Sequence, residues 1–205
     1  MPTTMQLLFL PGASGNTKFW KPLADQLAHP GQRCFVRYPG FGQMEPDASI
    51  TCLEDLCCQI AVKIDRPTAI FAQSMGGILA IRLAMQFPSL ITHLVLSVTS
   101  GGIDMRQFDA ADWRSDFGTE NPQLPSWFLH DNSNLQPDLA TLRQPTLLLW
   151  GDADPISPVA VGEYLRQQIP NAVLHIVAGG QHDLALVHAA SLAPLVDHHL
   201  TKWQA

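Results

Sequence analysis

Ser74 stands where two patterns meet. Residues 68–72 before it are apolar on both parities, as in a strand buried on both faces, and residues 75–87 after it have helical spacing and stop at Pro88. Ala72 and Gly76, two positions before and two after, are small. A serine on an abrupt strand-to-helix turn is held in strained backbone. Its neighbours must be small for the turn to close, and the helix behind it points its positive end at any negative charge that develops. Those are the requirements of a nucleophile that attacks a carbonyl. A serine that merely caps a helix would look the same in isolation.

Three other segments supply the missing partners. Asp152 and Asp154 follow a strand-like run at 145–150, and His182 follows another at 172–178, just past Gly179-Gly180. A base beside the serine and an acid that orients the base would complete a nucleophilic set in the order Ser74, Asp154, His182. Asp154 precedes Pro155, which fixes its backbone, whereas Asp152 directly follows Gly151 and is placed to brace the turn. The turn Pro11-Gly12-Ala13-Ser14-Gly15 at the end of a run at 5–10 offers backbone N–H groups to an oxyanion, with Ala13 and Met75 as the candidate donors. No Gly-Lys-Ser/Thr follows its glycines, so a nucleoside-triphosphate loop is excluded. The other seven of the eight histidines lie inside strands, helices or the segment 103–140, without ligand spacing. No metal and no cofactor is expected.

The elements that must position these residues alternate. Strand-like runs at 5–10, 33–38, 68–72, 91–98, 145–150 and 172–178 are separated by helical patterns at 18–28, 51–64, 75–87, 158–168 and 182–203. The helix at 51–64 is expected to open on a capping box, Thr51 with Glu54, and Pro194 is expected to kink or split the last one. The pattern predicts a parallel α/β sheet of about six strands in one domain, with each candidate residue at the carboxyl end of a different strand. Residues 103–140 break the alternation and carry Trp113, Phe117, Trp127 and Phe128 among turn formers. They are expected to form a short inserted lid, with Trp113, Trp127 and Phe128 either roofing a substrate pocket or forming a small core of their own.

Composition narrows the class. The 205 residues are 46% hydrophobic and 15% charged, with 12 Lys+Arg against 18 Asp+Glu and a net charge of −6. That is a globular interior without the basic face that nucleic acid or an anionic membrane surface requires. The N-terminus lacks a basic signal-peptide region, and no stretch is long enough for a membrane span. Three of the four cysteines fall within seven residues, at 52, 57 and 58, a pattern expected for free thiols in a reducing cytoplasm.

Taken together, these motifs resemble the α/β-hydrolase fold family. Ala72-Gln73-Ser74-Met75-Gly76-Gly77 is similar to its nucleophile elbow, with Ala where Gly is more usual. Pro11-Gly12 with Trp20 resembles its His-Gly…Trp oxyanion loop, with Pro in place of His. Tyr38-Pro39-Gly40-Phe41-Gly42 resembles the Pro-Gly-x-Gly loop of small members, and Gly151-Asp152-Ala153-Asp154 its Gly-x-x-Asp. Against the family pattern, two strands that usually precede the oxyanion loop have no room, and Gln181 stands where Gly often precedes the histidine. The resemblance implies a serine esterase: Ser74 attacks an ester or thioester of a small molecule, His182 shuttles the proton and Asp154 orients it. A lyase or cofactor-free haloperoxidase on the same fold, or a hydrolase fold serving only as a binding module, remains an alternative.

Overall fold

The strand-like runs form the strands, those at the centre of the sheet buried on both faces and those at its edges, Gln32–Phe35 and Ala172–Val177, partly exposed. A computed structural model, which describes residues 4–111 and 113–201, pairs β1 (Gln6–Leu10), β2 (Gln32–Phe35), β3 (Thr68–Gln73), β4 (Ile91–Ser97), β5 (Thr146–Gly151) and β6 (Ala172–Val177) into one sheet. The spatial order is β2-β1-β3-β4-β5-β6, and every pairing is parallel. Parity assigns each strand residue to one of two cores. Leu8, Leu10, Ile70, Ala72, Leu94, Leu96, Leu148 and Trp150 enter one face; Leu7, Phe9, Ala69, Phe71, Val95, Leu147 and Leu149 enter the other.

The helices cover both faces. On the first lie α2 (Leu53–Ala61), α3 (Met75–Gln86) and α6 (Val159–Gln168); on the second lie α1 (Lys21–Gln26), α7 (Leu184–Val187) and α8 (Ala189–Thr201). α3 is buried on nearly every side, which explains why its sequence is apolar with little amphipathic bias. Strand order reverses between β1 and β3, because the crossover from β1 runs one way and that from β3 the other. The carboxyl ends of such a pair leave a crevice between the diverging loops.

Between β4 and β5 the chain makes α4 (Arg114–Glu120) and α5 (Ser126–Leu129), with 3-10 turns at Met105–Phe108 and Gln136–Thr141. The expected lid segment therefore carries short helices. It is fastened by Arg82 of α3, whose guanidinium donates to Glu54 on α2 at 2.5 Å and to Ser133 Oγ at 3.0 Å.

Two local expectations are corrected. Thr51 and Glu54 do not form a capping box. Cys52 occupies the N-cap of α2, and the Thr51 hydroxyl and N–H both donate to Asp55 at 2.8 Å, while Glu54 is taken by Arg82. The final helix divides at His188, not at Pro194, which lies inside α8. The break lets Leu184 and Ala185 of α7 reach the same core as Leu192 and Val196 of α8, and that burial outweighs helix continuity. The end of that expected helix, Trp203, lies outside the described residues.

Candidate active site

The β3–α3 junction is strained at one residue. Ser74 has φ 52° and ψ −121°, a region that costs a non-glycine residue about 1–3 kcal/mol and persists only where the surroundings enforce it. Three bonds do so. The Ser74 N–H donates to the Ser97 carbonyl at 3.0 Å, and the Ser74 carbonyl accepts from the Gly77 N–H at 2.9 Å and the Thr99 hydroxyl at 2.6 Å. Thr99 is fully buried, and its Oγ1 also accepts from the Gly101 N–H at 3.0 Å. Val98 before it has φ 45°, unusual for a β-branched residue, as the chain turns out of β4 toward the elbow. Gly76 must be small: a Cβ there would sit 2.6 Å from the Pro11 carbonyl oxygen.

The loop after β1 is tethered from two sides. Trp20 Nε1 donates to the Leu10 carbonyl at 2.9 Å and the Tyr38 hydroxyl to the Pro11 carbonyl at 3.1 Å, and both side chains are wholly buried. Gly12 and Gly15 close a turn through a 3.0 Å bond, which leaves the Ala13 N–H free of the turn's own bonding. Met75 opens α3, so its N–H has no intrahelical partner either. Neither N–H has an acceptor among the described residues. Met75 lines the larger of two hollows that meet at Ser74, and Ala13 the smaller.

Asp154 and His182 come together from the ends of β5 and β6. His182 Nδ1 lies 2.8 Å from Asp154 Oδ2. A carboxylate only accepts, so the proton is on Nδ1 and the neutral ring presents a bare Nε2. The Asp154 side chain is fully buried, and its second oxygen accepts from the Ile156 and Ser157 N–H groups at 2.9 and 3.2 Å. Asp152 behaves as a brace: its Oδ1 accepts from the Gly179 N–H at 2.6 Å and ties the β5 turn to the β6 turn, away from His182. Gly151 allows that approach, because a Cβ there would collide with the Gly180 backbone.

Two hollows converge on Ser74 and His182. The larger, about 700 Å³, runs past Met75, Ile78 and Val98 to a polar wall that includes Ser100, Asp104, Asp131 and Asn132 to Asn134. The smaller, about 120 Å³, lies between Ala13, Trp113, Phe117 and Ile156. Trp113 and Phe128 line the larger hollow. Trp127 does not: it lines neither hollow, and its ring packs edge-on against Phe41 at 5.8 Å and Phe128 at 6.3 Å. The expectation that it walls the substrate is corrected for that reason. Successive residues on a helix point about 100° apart, so Trp127 and Phe128 of α5 diverge, and Trp127 packs on the Phe41 ring of the Tyr38–Gly42 loop. Sequence reasoning missed Thr99 and Ile156, and it gave Tyr38 only as part of the Pro-Gly-x-Gly loop, not as the tether of Pro11. Phe117 was noticed only as one of the lid aromatics. Only proximity to strand ends could have pointed to Thr99 and Ile156.

Against known proteins, residues 7–131 match the model of the "Alpha/beta hydrolase family", and residues 115–189 match that of the "alpha/beta hydrolase fold". The chain belongs to the alpha/beta hydrolase family. It is 25% identical over 240 residues to a pimeloyl-[acyl-carrier protein] methyl ester esterase of Neisseria meningitidis, covering 95% of this chain and 93% of that one. It is 26% identical over 230 residues to the AMB antimetabolite synthetase AmbE of Pseudomonas aeruginosa, covering 96% of this chain but spanning only 11% of that much longer protein. Among solved structures, a thermophilic esterase from Thermogutta terrifontis superposes with a TM-score of 0.77 at 16% identity, over 98% of this chain and 91% of that one.

Proposed function

We propose that the protein is a serine hydrolase of carboxylic esters or thioesters, with Ser74 as nucleophile, His182 as base and Asp154 as the acid that orients it. The observation that carries the reading is the buried Asp154 carboxylate on His182 Nδ1, at a cleft shared with the strained Ser74. His182 Nε2 takes the proton as Ser74 Oγ bonds to the acyl carbon, and the carbonyl electron pair moves onto oxygen. The N–H groups of Ala13 and Met75 receive that oxyanion, and loss of one such donor typically costs about 3 kcal/mol of barrier. Collapse breaks the bond to the leaving oxygen or sulfur, which departs with the proton from His182. Water then attacks the acyl-serine by the same route, returning the proton to Ser74 and releasing the acid. Nothing in these steps depends on whether the leaving atom is oxygen or sulfur. Esterase activity in a relative that aligns over nearly its whole length supports the class. In this reading residues 103–140 act as a short lid, and the site stays open to substrate without interfacial activation.

The test is labelling with a fluorophosphonate together with turnover of p-nitrophenyl butyrate, for the protein and for Ser74→Ala. One equivalent of label and measurable turnover are expected, both abolished by the substitution with an unchanged melting temperature. Turnover that survives in the purified variant refutes the assignment. Absent labelling, or elimination activity in its place, would favour a binding module or a lyase.

A further inference from the structure

The two hollows that meet at Ser74 and His182 differ in size and in chemistry. The smaller is about 120 Å³, and its apolar lining is Trp113, Phe117 and Ile156, of which Trp113 and Ile156 also line the larger. At about 30 Å³ per water-sized group, that volume holds about four or five non-hydrogen atoms. Apart from Ser14, Gln73 and the Ser74–His182 pair, its walls offer nothing to a charged or hydrogen-bonding end. The larger, at about 700 Å³, falls in the ~300–1,000 Å³ range of sites that enclose whole drug-sized molecules. Met75, Ile78 and Ile103 give it an apolar part, but Ser100, Asn132 and Asn134 and the charged Asp104, Arg106, Arg114 and Asp131 line it too. A long fatty chain laid there would strip water from these groups and return no hydrogen bonds, a cost that a polar chain avoids.

We propose that the site selects esters of unequal arms: one short apolar arm of at most about five non-hydrogen atoms in the small hollow, and one extended arm rich in hydroxyl or amide groups along the large one. This rests on Ser74 and His182 acting as described above, since both hollows open on those two side chains, with Trp113 and Ile156 lining both. The ester carbon must lie at Ser74, where both hollows open, so one substituent can enter each. Phe117 and Ile156 set the length limit of the short arm, and Asn132 and Asn134 set the preference for a polar long arm.

Two mirror series of esters test it, one lengthening the acyl chain from C2 to C10 on a fixed alcohol, the other lengthening the alcohol on a fixed acyl group. In one series kcat/KM should rise about threefold to fourfold per methylene up to four or five carbons, as apolar burial predicts, and then fall at least tenfold. In the other, length should be tolerated, and esters bearing hydroxyl or amide groups should exceed alkyl esters of equal length by at least tenfold. Phe117→Ala should move the length optimum of the first series out by about three carbons. Ile156→Ala serves the same purpose should the first variant fail to fold. Asn132→Leu with Asn134→Leu should erase the preference for the polar arm and leave the short-arm limit in place. The same length profile in both series, or an optimum beyond C8 with alkyl chains favoured throughout, overturns the proposal while leaving Ser74-dependent hydrolysis intact. Absence of any Ser74-dependent turnover refutes the hydrolase reading itself.

Discussion

Replacing Asp154 with asparagine should do far more than remove a charge, because the side chain can enter its site in only one orientation. One carboxylate oxygen already accepts from two backbone N–H groups, Ile156 at 2.9 Å and Ser157 at 3.2 Å. An asparagine must place its carbonyl oxygen there, since the amide nitrogen would face two donors at a fully buried position. Its NH2 group is then forced toward His182 Nδ1, 2.8 Å from the position now held by Oδ2. Nδ1 must become the acceptor, the ring proton moves to Nε2, and His182 can no longer take the proton from Ser74. The same inversion in the well-studied Ser-His-Asp proteases lowers kcat about ten-thousandfold, or about 5 kcal/mol of barrier, and a loss of that order is expected here. Both backbone bonds survive, so the melting temperature should change little. Asp152→Asn is the control. It retains an oxygen for the exposed Gly179 N–H and touches neither His182 nor Ser74, so kcat should stay within about threefold. Initial rates on p-nitrophenyl butyrate, normalised by active-site titration, measure both. An Asp154→Asn rate within tenfold of the parent, or the reverse ranking of the two aspartates, would refute the reasoning.

The Thr99 hydroxyl holds the Ser74 carbonyl, so Thr99→Val should lower kcat about tenfold with KM unchanged and cost about 1–3 kcal/mol of stability, whereas Thr99→Ser should restore both; a rise in KM alone would contradict a positioning role. Trp127→Ala removes a half-buried ring packed on Phe41 and Phe128, and should cost about 2 kcal/mol, or about 4–8 °C in melting temperature, without altering the chain-length profile; an altered profile would return Trp127 to the substrate wall. His93 is buried on β4 beside the His199 ring of α8 at 5.3 Å and within the field of His29, which Asp197 partly offsets at His29 itself. Burial, reinforced by His29, pulls His93 down to about 4 from its usual 6.5. The native state therefore resists protonation that the unfolded chain accepts. Stability is intact above pH 6.5, falls as pH drops toward 4, and is lower by about 3 kcal/mol below that, a loss that urea melts at pH 7, 5 and 4 should show and His93→Leu should abolish.

The sequence by itself determined the strands, their parallel pairing class and the chain order of Ser74, Asp154 and His182, because each rests on local chemistry. Runs apolar on both parities can only be satisfied between two covered faces, and small residues around Ser74 answer a local steric demand. The choice between Asp154 and Asp152 was half legible, since Pro155 fixes one backbone, but only the fold brings His182 to one carboxylate and the Gly179 N–H to the other. The capping box at Thr51 failed because Glu54 found a stronger partner in Arg82, 28 residues away, and no local pattern reports such a competitor. The last helix broke at His188, where no breaker residue stands, and the two segments bury Leu184, Ala185, Leu192 and Val196 in one core, a tertiary arrangement that no local pattern reports. Thr99 and Val98 were invisible for a related reason. Their role depends on a turn geometry that the β4 and β3 carboxyl ends impose on each other through space. The lid aromatics diverge in the same way. Four similar rings in one segment look equivalent in sequence, and only the fold sends Trp127 into packing on Phe41 and Phe128 while Trp113, Phe117 and Phe128 line the hollows beside Ser74.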